Sequence, residues 1–238
     1  MKVTFINHSC FSIELDHTVL IFDYTGGQLP EFQEHKKVCL FSSHSHWDHF
    51  NTDILAISSK YDHVIYILSD DIKIDDKTLE RCHMNHKLNT IHYVKPDAHY
   101  QIDHISFSTL LSTDLGVAYN ITCEGTDIYY AGDLYWWHWN EQSEDWNTDM
   151  GKRYRKEIAK LENKHFHIAF LPLDGRLADK YALGFDYFVT HVEADYIFPM
   201  HFWEDYSLIP KLCGEDYAFS YRDKIMQIEY QGQQWDIK

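Results

Sequence analysis

Short runs rich in β-branched and aromatic residues recur along this chain, and several of them stop at an aspartate or a histidine where an ordinary turn would need neither. The run at 19–22 ends at Asp23, and the run at 38–41 passes through Ser42 and Ser43 into His44. The run at 128–131 is followed by Gly132 and Asp133, and the run at 197–200 ends at His201. Runs of this length and composition predict β-strands. Strand ends on a rigid sheet can hold side chains from distant parts of a sequence in fixed geometry. Several such ends on strands able to share a sheet edge point to one site.

Further strands are predicted at 3–6, 11–15, 64–68, 91–94, 105–110, 117–122 and 167–173, and the last two runs above extend to 127–131 and 196–200. Helical spacing is predicted over 52–61, 76–82, 152–163 (Tyr154, Ile158 and Leu161 on one face), 179–191 and 205–221. The acidic window 140–149 reads as a loop, with the basic residues Lys152, Arg153, Arg155 and Lys156 facing solvent beside it. Strand-rich order with interspersed helices suits two sheets packed face to face with helices outside, an α+β arrangement. Glycine and proline, 10 and 5 in number, never cluster into a linker, so residues 1–238 are expected to form a single domain.

Composition narrows the partners. Hydrophobic residues at 45% and charged residues at 24% place the chain among globular proteins. The formal net charge of −16 repels phosphate backbones and anionic membrane surfaces, which makes a small molecule the expected partner and argues against nucleic acid and membrane. No apolar run is long enough to span a bilayer, and residues 1–22 lack the pattern of a signal peptide. Cys10, Cys39, Cys82, Cys123 and Cys213 are scattered without a Cys-x-x-Cys pair, as in a reduced cytoplasmic protein. The 17 histidines direct attention to metal chemistry.

The densest cluster is His44-Ser45-His46-Trp47-Asp48-His49. Neighbouring side chains diverge, so these residues cannot all reach one ion. A tight turn after a strand can aim His44 and His46 at one metal and Asp48 and His49 at a second. Imidazole and carboxylate donors without cysteine suit one or two divalent ions, zinc first, with manganese or iron as alternatives.

The motif His44-x-His46-x-Asp48-His49 resembles the signature turn of the metallo-β-lactamase superfamily. Asp23, Ala131-Gly132-Asp133 and Pro199-Met200-His201 follow that family's order, and the resemblance runs from Phe5-Ile6-Asn7-His8-Ser9 to Trp203. Within the superfamily it is most similar to small bacterial metal-dependent hydrolases related to ascorbate-6-phosphate lactonase. The resemblance implies a four-layer αββα sandwich of two mixed sheets with a metal site at one edge. It implies His44 and His46 on a first metal, Asp48, His49 and His201 on a second, and Asp133 between them. Asp23 would accept from a ligand imidazole. The chain departs from the family where another histidine is usual, at Leu110-Leu111-Ser112-Thr113-Asp114-Leu115-Gly116. Ser112 takes that place and is a poor ligand, while Asp114 can reach in, so the first site is either incomplete or rebuilt with oxygen.

The implied activity is hydrolysis of a small ester, lactone or phosphoester by metal-activated water, with Asp48 orienting the water. The rivals are a phosphodiesterase or nuclease of the same superfamily and a metal-binding protein without catalysis. Trp136, Trp137 and Trp139 read as a wall over the site or as a core plug, and Trp47 and Trp203 share that ambiguity. His8 is a candidate outer-sphere residue. Asp174 either faces the same edge or caps the following turn, and Arg176 reads as a surface residue. His138 reads as packed or partly exposed, and the pairs His83/His86 and His165/His167 as surface residues.

Overall fold

In the computed structural model, which describes residues 1–84 and 90–238, the chain divides into two compact units. His86 lies outside the described residues. The first unit comprises Met1–Lys95 and Tyr230–Lys238, the second Pro96–Glu229.

The first unit is a mixed sheet in the order β13-β1-β2-β3-β4-β5-β6. Its strands are β1 (Lys2–Asn7), β2 (Cys10–Glu14), β3 (Thr18–Phe22), β4 (Lys37–Ser42), β5 (Val64–Ser69), β6 (Ile91–Val94) and β13 (Gln234–Asp236). The pairs from β13 to β3 are antiparallel and those from β3 to β6 parallel. Every residue of β3 is buried, which is what a strand with parallel pairing and two covered faces requires. Val19, Ile21, Val38, Leu40, Tyr66 and Leu68 form a core with Ile54 and Leu55 from the 3₁₀ segment Thr52–Ser59. Helix α1 (Asp76–Arg81) is capped by the Asp75 side chain and carries the chain from β5 toward β6. The β3–β4 register sets Phe22 beside Phe41, so Asp23 and the Ser42-Ser43-His44 segment leave the sheet at the same edge.

The second unit is a mixed sheet in the order β12-β11-β10-β9-β8-β7. It contains β7 (His99–Ile102), β8 (Ile105–Leu111), β9 (Val117–Cys123), β10 (Thr126–Tyr130), β11 (His165–Pro172) and β12 (Glu193–Met200). β7 to β10 form an antiparallel meander, and β10, β11 and β12 run parallel. Parallel register brings the C-terminal ends of β10, β11 and β12 together, so Asp133, Asp174 and His201 emerge from one edge. Helices α2 (Glu144–Ile158), α3 (Leu183–His191) and α4 (Leu208–Cys213) complete this unit. A Cβ on Gly184 would lie 2.6 Å from the Tyr135 ring, so only glycine lets α3 approach the segment after β10 so closely.

Two mixed sheets with helices agree with the α+β expectation. The window 140–149 is a correction: α2 begins at Glu144, where the Ser143 side chain accepts from the Trp146 amide and Glu144 and Asp145 occupy the first turn. Acids there favour the positive end of the helix dipole, so the acidic run marks a helix start and not a loop. The predicted helix at 179–191 is a 3₁₀ segment, Gly175–Lys180, followed by α3, and the one at 205–221 is α4 followed by the 3₁₀ segment Asp216–Ser220. Strands β7 and β13 lie outside the runs that the sequence marks as strands. No helix among the described residues is long and apolar enough to cross a membrane.

Candidate metal centre

In the first unit the donors stand on the connection after β4. Asp23 is buried and holds an unusual left-handed backbone (φ 43°), which turns its carboxylate off the end of β3. Its Oδ1 accepts from the Ser43 amide at 2.7 Å, and its Oδ2 accepts from the Ser43 hydroxyl at 2.6 Å. The same Oδ2 lies 2.6 Å from His49 Nδ1. A carboxylate only accepts, so Nδ1 of His49 carries the proton. Ser43 Oγ is also 2.9 Å from His44 Nδ1. Because the serine gives its one hydrogen to Asp23, His44 Nδ1 must donate to the serine. One buried carboxylate thereby fixes the tautomers of two histidines, directly for His49 and through Ser43 for His44. Both rings keep Nε2 for another partner.

The remaining donors of this unit gather around those nitrogens. His44 Nε2 lies 3.0 Å from His46 Nδ1. Asp48 Oδ2 is 3.9 Å from His49 Nε2 and 3.5 Å from His8 Nε2. His8, Asp48 and His49 each offer one donor atom within 4.8 Å of the others. His44 and His49 are buried, Asp48 is half-buried and His46 is exposed. Burial, reinforced by the neighbouring His49, pushes the His44 pKa down to about 3, so the ring is neutral, as a metal ligand must be.

In the second unit His201 follows β12 in a left-handed conformation (φ 62°), and Gly132 (φ 50°) makes the corresponding turn before Asp133. His201 Nδ1 is 3.0 Å from Asp174 Oδ2, and its Nε2 lies 3.5 Å from Asp133 Oδ1. Asp174 is fully buried and takes a fork from Arg176, whose Nε lies 3.0 and 2.9 Å from its two oxygens. Burial alone would raise the Asp174 pKa. Hydrogen bonds from His201 and Arg176 outweigh it and lower the pKa to about 2, so this carboxylate is charged and His201 Nδ1 is the donor. Asp174 also caps the turn by accepting from the Arg176 amide, so both roles foreseen for it hold. Arg176, half-exposed, lies over the rings of Trp139 and Trp203.

Asp114 is exposed, and one of its oxygens comes within 4.8 Å of an Asp133 oxygen. Its amide donates to Ser112 Oγ at 3.2 Å, which occupies that serine as a local cap. Thr113 Oγ1 bonds both the Tyr135 carbonyl, at 2.6 Å, and the Tyr135 amide, at 3.0 Å, pinning the segment that carries Asp133.

The tryptophans divide. Trp137 is buried, donates Nε1 to the Asp133 carbonyl at 3.0 Å and sets its ring 5.5 Å from His201. Trp136 packs against Gly151, Tyr154 and Tyr187 and belongs to the helix packing. His138 is half-buried. His165 is exposed and pairs with Asp195 at 2.8 Å.

The first unit gathers His44, His46, Asp48 and His49, and the second carries Asp114, Asp133 and His201. The donor chemistry fits divalent ions. Three buried histidines are each held by Nδ1, leaving Nε2 to the site side, the arrangement by which ligating imidazoles are oriented and made more basic. His8 as a donor, and Ser43 as the relay to His44, were not foreseen. The only sequence signal for Ser43 is its place between a strand end and a histidine.

The sequence profile of the Beta-lactamase superfamily domain matches residues 2–201. Among curated proteins none matches significantly. The fold is similar to that of Igni18, a metallo hydrolase from Ignicoccus hospitalis KIN4/I, at TM-score 0.62 and 16% identity over 100% of this chain and 99% of that one. It is similar to the metallo-β-lactamase fold protein YhfI from Bacillus subtilis, at TM-score 0.60 and 14% identity over 99% of both chains. An isothiocyanate hydrolase from Delia radicum gut bacteria aligns at TM-score 0.53 and 15% identity over 99% of both chains.

Proposed function

The chain belongs to the metallo-β-lactamase superfamily, and on that premise we propose that residues 1–238 act as one metal-dependent hydrolase domain on a small molecule with an ester, lactone or phosphoester bond. The observation that carries this reading is the anchoring of His44, His49 and His201 through Nδ1, by Ser43, Asp23 and Asp174. In this reading His44 and His46, with Asp114 as a third donor, hold a first ion. Asp48, His49 and His201 would hold a second, with Asp133 as a further carboxylate donor. A divalent ion held there would supply Lewis acidity, lowering the pKa of a coordinated water from 15.7 toward about 7 and polarising the scissile oxygen.

The side chains supply the rest. Asp48, half-buried beside His8 and His49, would also orient the attacking water. Asp23, Ser43 and Asp174 keep the imidazoles in the tautomer that leaves Nε2 available. Trp137 closes one side of His201 against bulk water.

A small substrate is supported by the net charge of −16, which opposes polyanions. A cytoplasmic setting fits the five cysteines, none of which is in a disulfide. Zinc is the first choice of metal, with manganese or iron as alternatives. Ester, lactone and phosphodiester reporters test the activity, with chelated protein as the control. Turnover that stops on chelation and returns with Zn²⁺ or Mn²⁺ supports the hydrolase. Turnover that survives chelation, or no turnover of any reporter by metal-loaded protein, contradicts it.

A further inference from the structure

Three donors that hydrolysis leaves unused meet at the other end of the second unit's sheet. β7 and β8 are joined by the two-residue turn Asp103-His104, and β9 and β10 by Glu124-Gly125. Glu124 and Gly125 both have positive φ, 50° and 78°, as a type I′ hairpin requires. In the β8–β9 pairing Ser106 stands opposite Thr122, which sets the turn carrying His104 beside the turn carrying Glu124. Cys123 is the last residue of β9 and is buried, while His104 and Glu124 are exposed. One donor atom from each of His104, Cys123 and Glu124 lies within 4.8 Å of the other two. The Asp103 carboxylate is 3.6 Å from His104 Nδ1, on the side where ligating histidines are commonly oriented by an acid.

We propose that His104, Cys123 and Glu124 form a second, structural site for a zinc-class divalent ion, with water as the fourth ligand. Tetrahedral zinc with bonds of about 2.0–2.3 Å holds its ligand atoms about 3.3–3.8 Å apart. The donor atoms of His104, Cys123 and Glu124, all within 4.8 Å of one another, stand close to that spacing. Binding forms S–metal, N–metal and O–metal bonds and releases the Cys123 thiol proton to solvent. Thiolate and carboxylate together neutralise the ion, so the site carries no net charge into a chain that is already strongly acidic. A bound ion ties the β7–β8 turn to the β9–β10 turn and secures β7, which among the described residues pairs with β8 at the sheet edge. The site is separate from Asp133 and His201. Those residues follow the C-terminal ends of β10 and β12, whereas Glu124 precedes β10, whose five residues span about 17 Å.

Cobalt tests this independently of catalysis, because the proposed hydrolytic donors include no cysteine. Metal-stripped protein titrated with Co²⁺ is expected to develop a thiolate-to-cobalt charge-transfer band in the near ultraviolet. Cys123→Ser should abolish the band. His104→Ala and Glu124→Gln, at exposed positions that leave folding intact, should each weaken the affinity read from it by at least about tenfold. Absence of the band in saturated wild-type protein, or an unchanged band in Cys123→Ser, His104→Ala or Glu124→Gln, overturns the site.

Discussion

The Asp23 carboxylate lies 2.6 Å from Nδ1 of His49, both side chains wholly buried, and the same carboxylate holds His44 through the Ser43 hydroxyl. One acid thus orients two of the proposed metal ligands. Asp23→Asn keeps the shape but removes the charge and leaves an amide that can donate where an acceptor is needed. Metal affinity in this variant is expected to fall about 10–100-fold. Ser43→Ala should fall less, since it releases only His44. Competition titration against a chromophoric chelator measures both, and wild-type affinity in Asp23→Asn would refute the orienting role.

His201 is buried, conformationally strained and anchored by Asp174, whereas His46 is exposed. Protein purified with His201→Ala should therefore lose more metal than protein with His46→Ala. Asp114→Ala should lower the occupancy of the first site, and Ser112→Ala should hardly matter to metal because its hydroxyl caps the Asp114 amide. Elemental analysis reads all four variants. Equal loss in the two histidine variants counts against the ordering, and the reverse result at 112 and 114 counts against Asp114 as a ligand.

Trp137 sits 5.5 Å from His201 and bonds the Asp133 carbonyl, so it is the tryptophan placed to report on metal. Metal added to stripped protein should change tryptophan emission. Trp137→Phe should remove most of that change and Trp136→Phe should retain it. The opposite pattern would place the reporting ring elsewhere.

Acid should weaken the metal-stripped fold through His44. Its pKa is about 3 in the folded protein, held down by burial and then by His49, against about 6.5 in the unfolded chain. Between those values the unfolded state binds more protons, so stability rises with pH and is lost as pH falls from about 6.5 toward 3. The melting temperature of stripped protein should follow that course, and His44→Gln should flatten it. An identical slope in wild type and variant would assign the acid sensitivity to other groups.

Much of this was legible from residue order. The central strands β3, β4 and β5 announce themselves because parallel strands covered on both faces are continuous apolar runs. The turn from His44 to His49 declares donors because so many ligand types stand within six residues. β7, with the sequence His99-Tyr100-Gln101-Ile102, escaped notice because an exposed edge strand needs no apolar face, and β13 because it pairs with β1 from the far end of the chain. The left-handed backbone at His8, Asp23 and His201 has only a weak sequence signal, since aspartate and histidine tolerate it better than most residues but adopt it seldom. Such positions cost about 1–3 kcal/mol each and persist only where the surrounding structure enforces them. His8 and Ser43 entered the site for a related reason. Their roles depend on where neighbouring rings point, which spacing alone does not determine.

Histidines anchored through Nδ1 are left to hold metal through Nε2. Anomalous diffraction at the zinc absorption edge, from crystals grown with zinc, tests it most directly. Anomalous peaks are expected about 2.0–2.1 Å from Nε2 of His49 and of His201, with carboxylate oxygens completing the coordination. Zinc found only at other residues, with those two nitrogens bonded to protein groups alone, would contradict it.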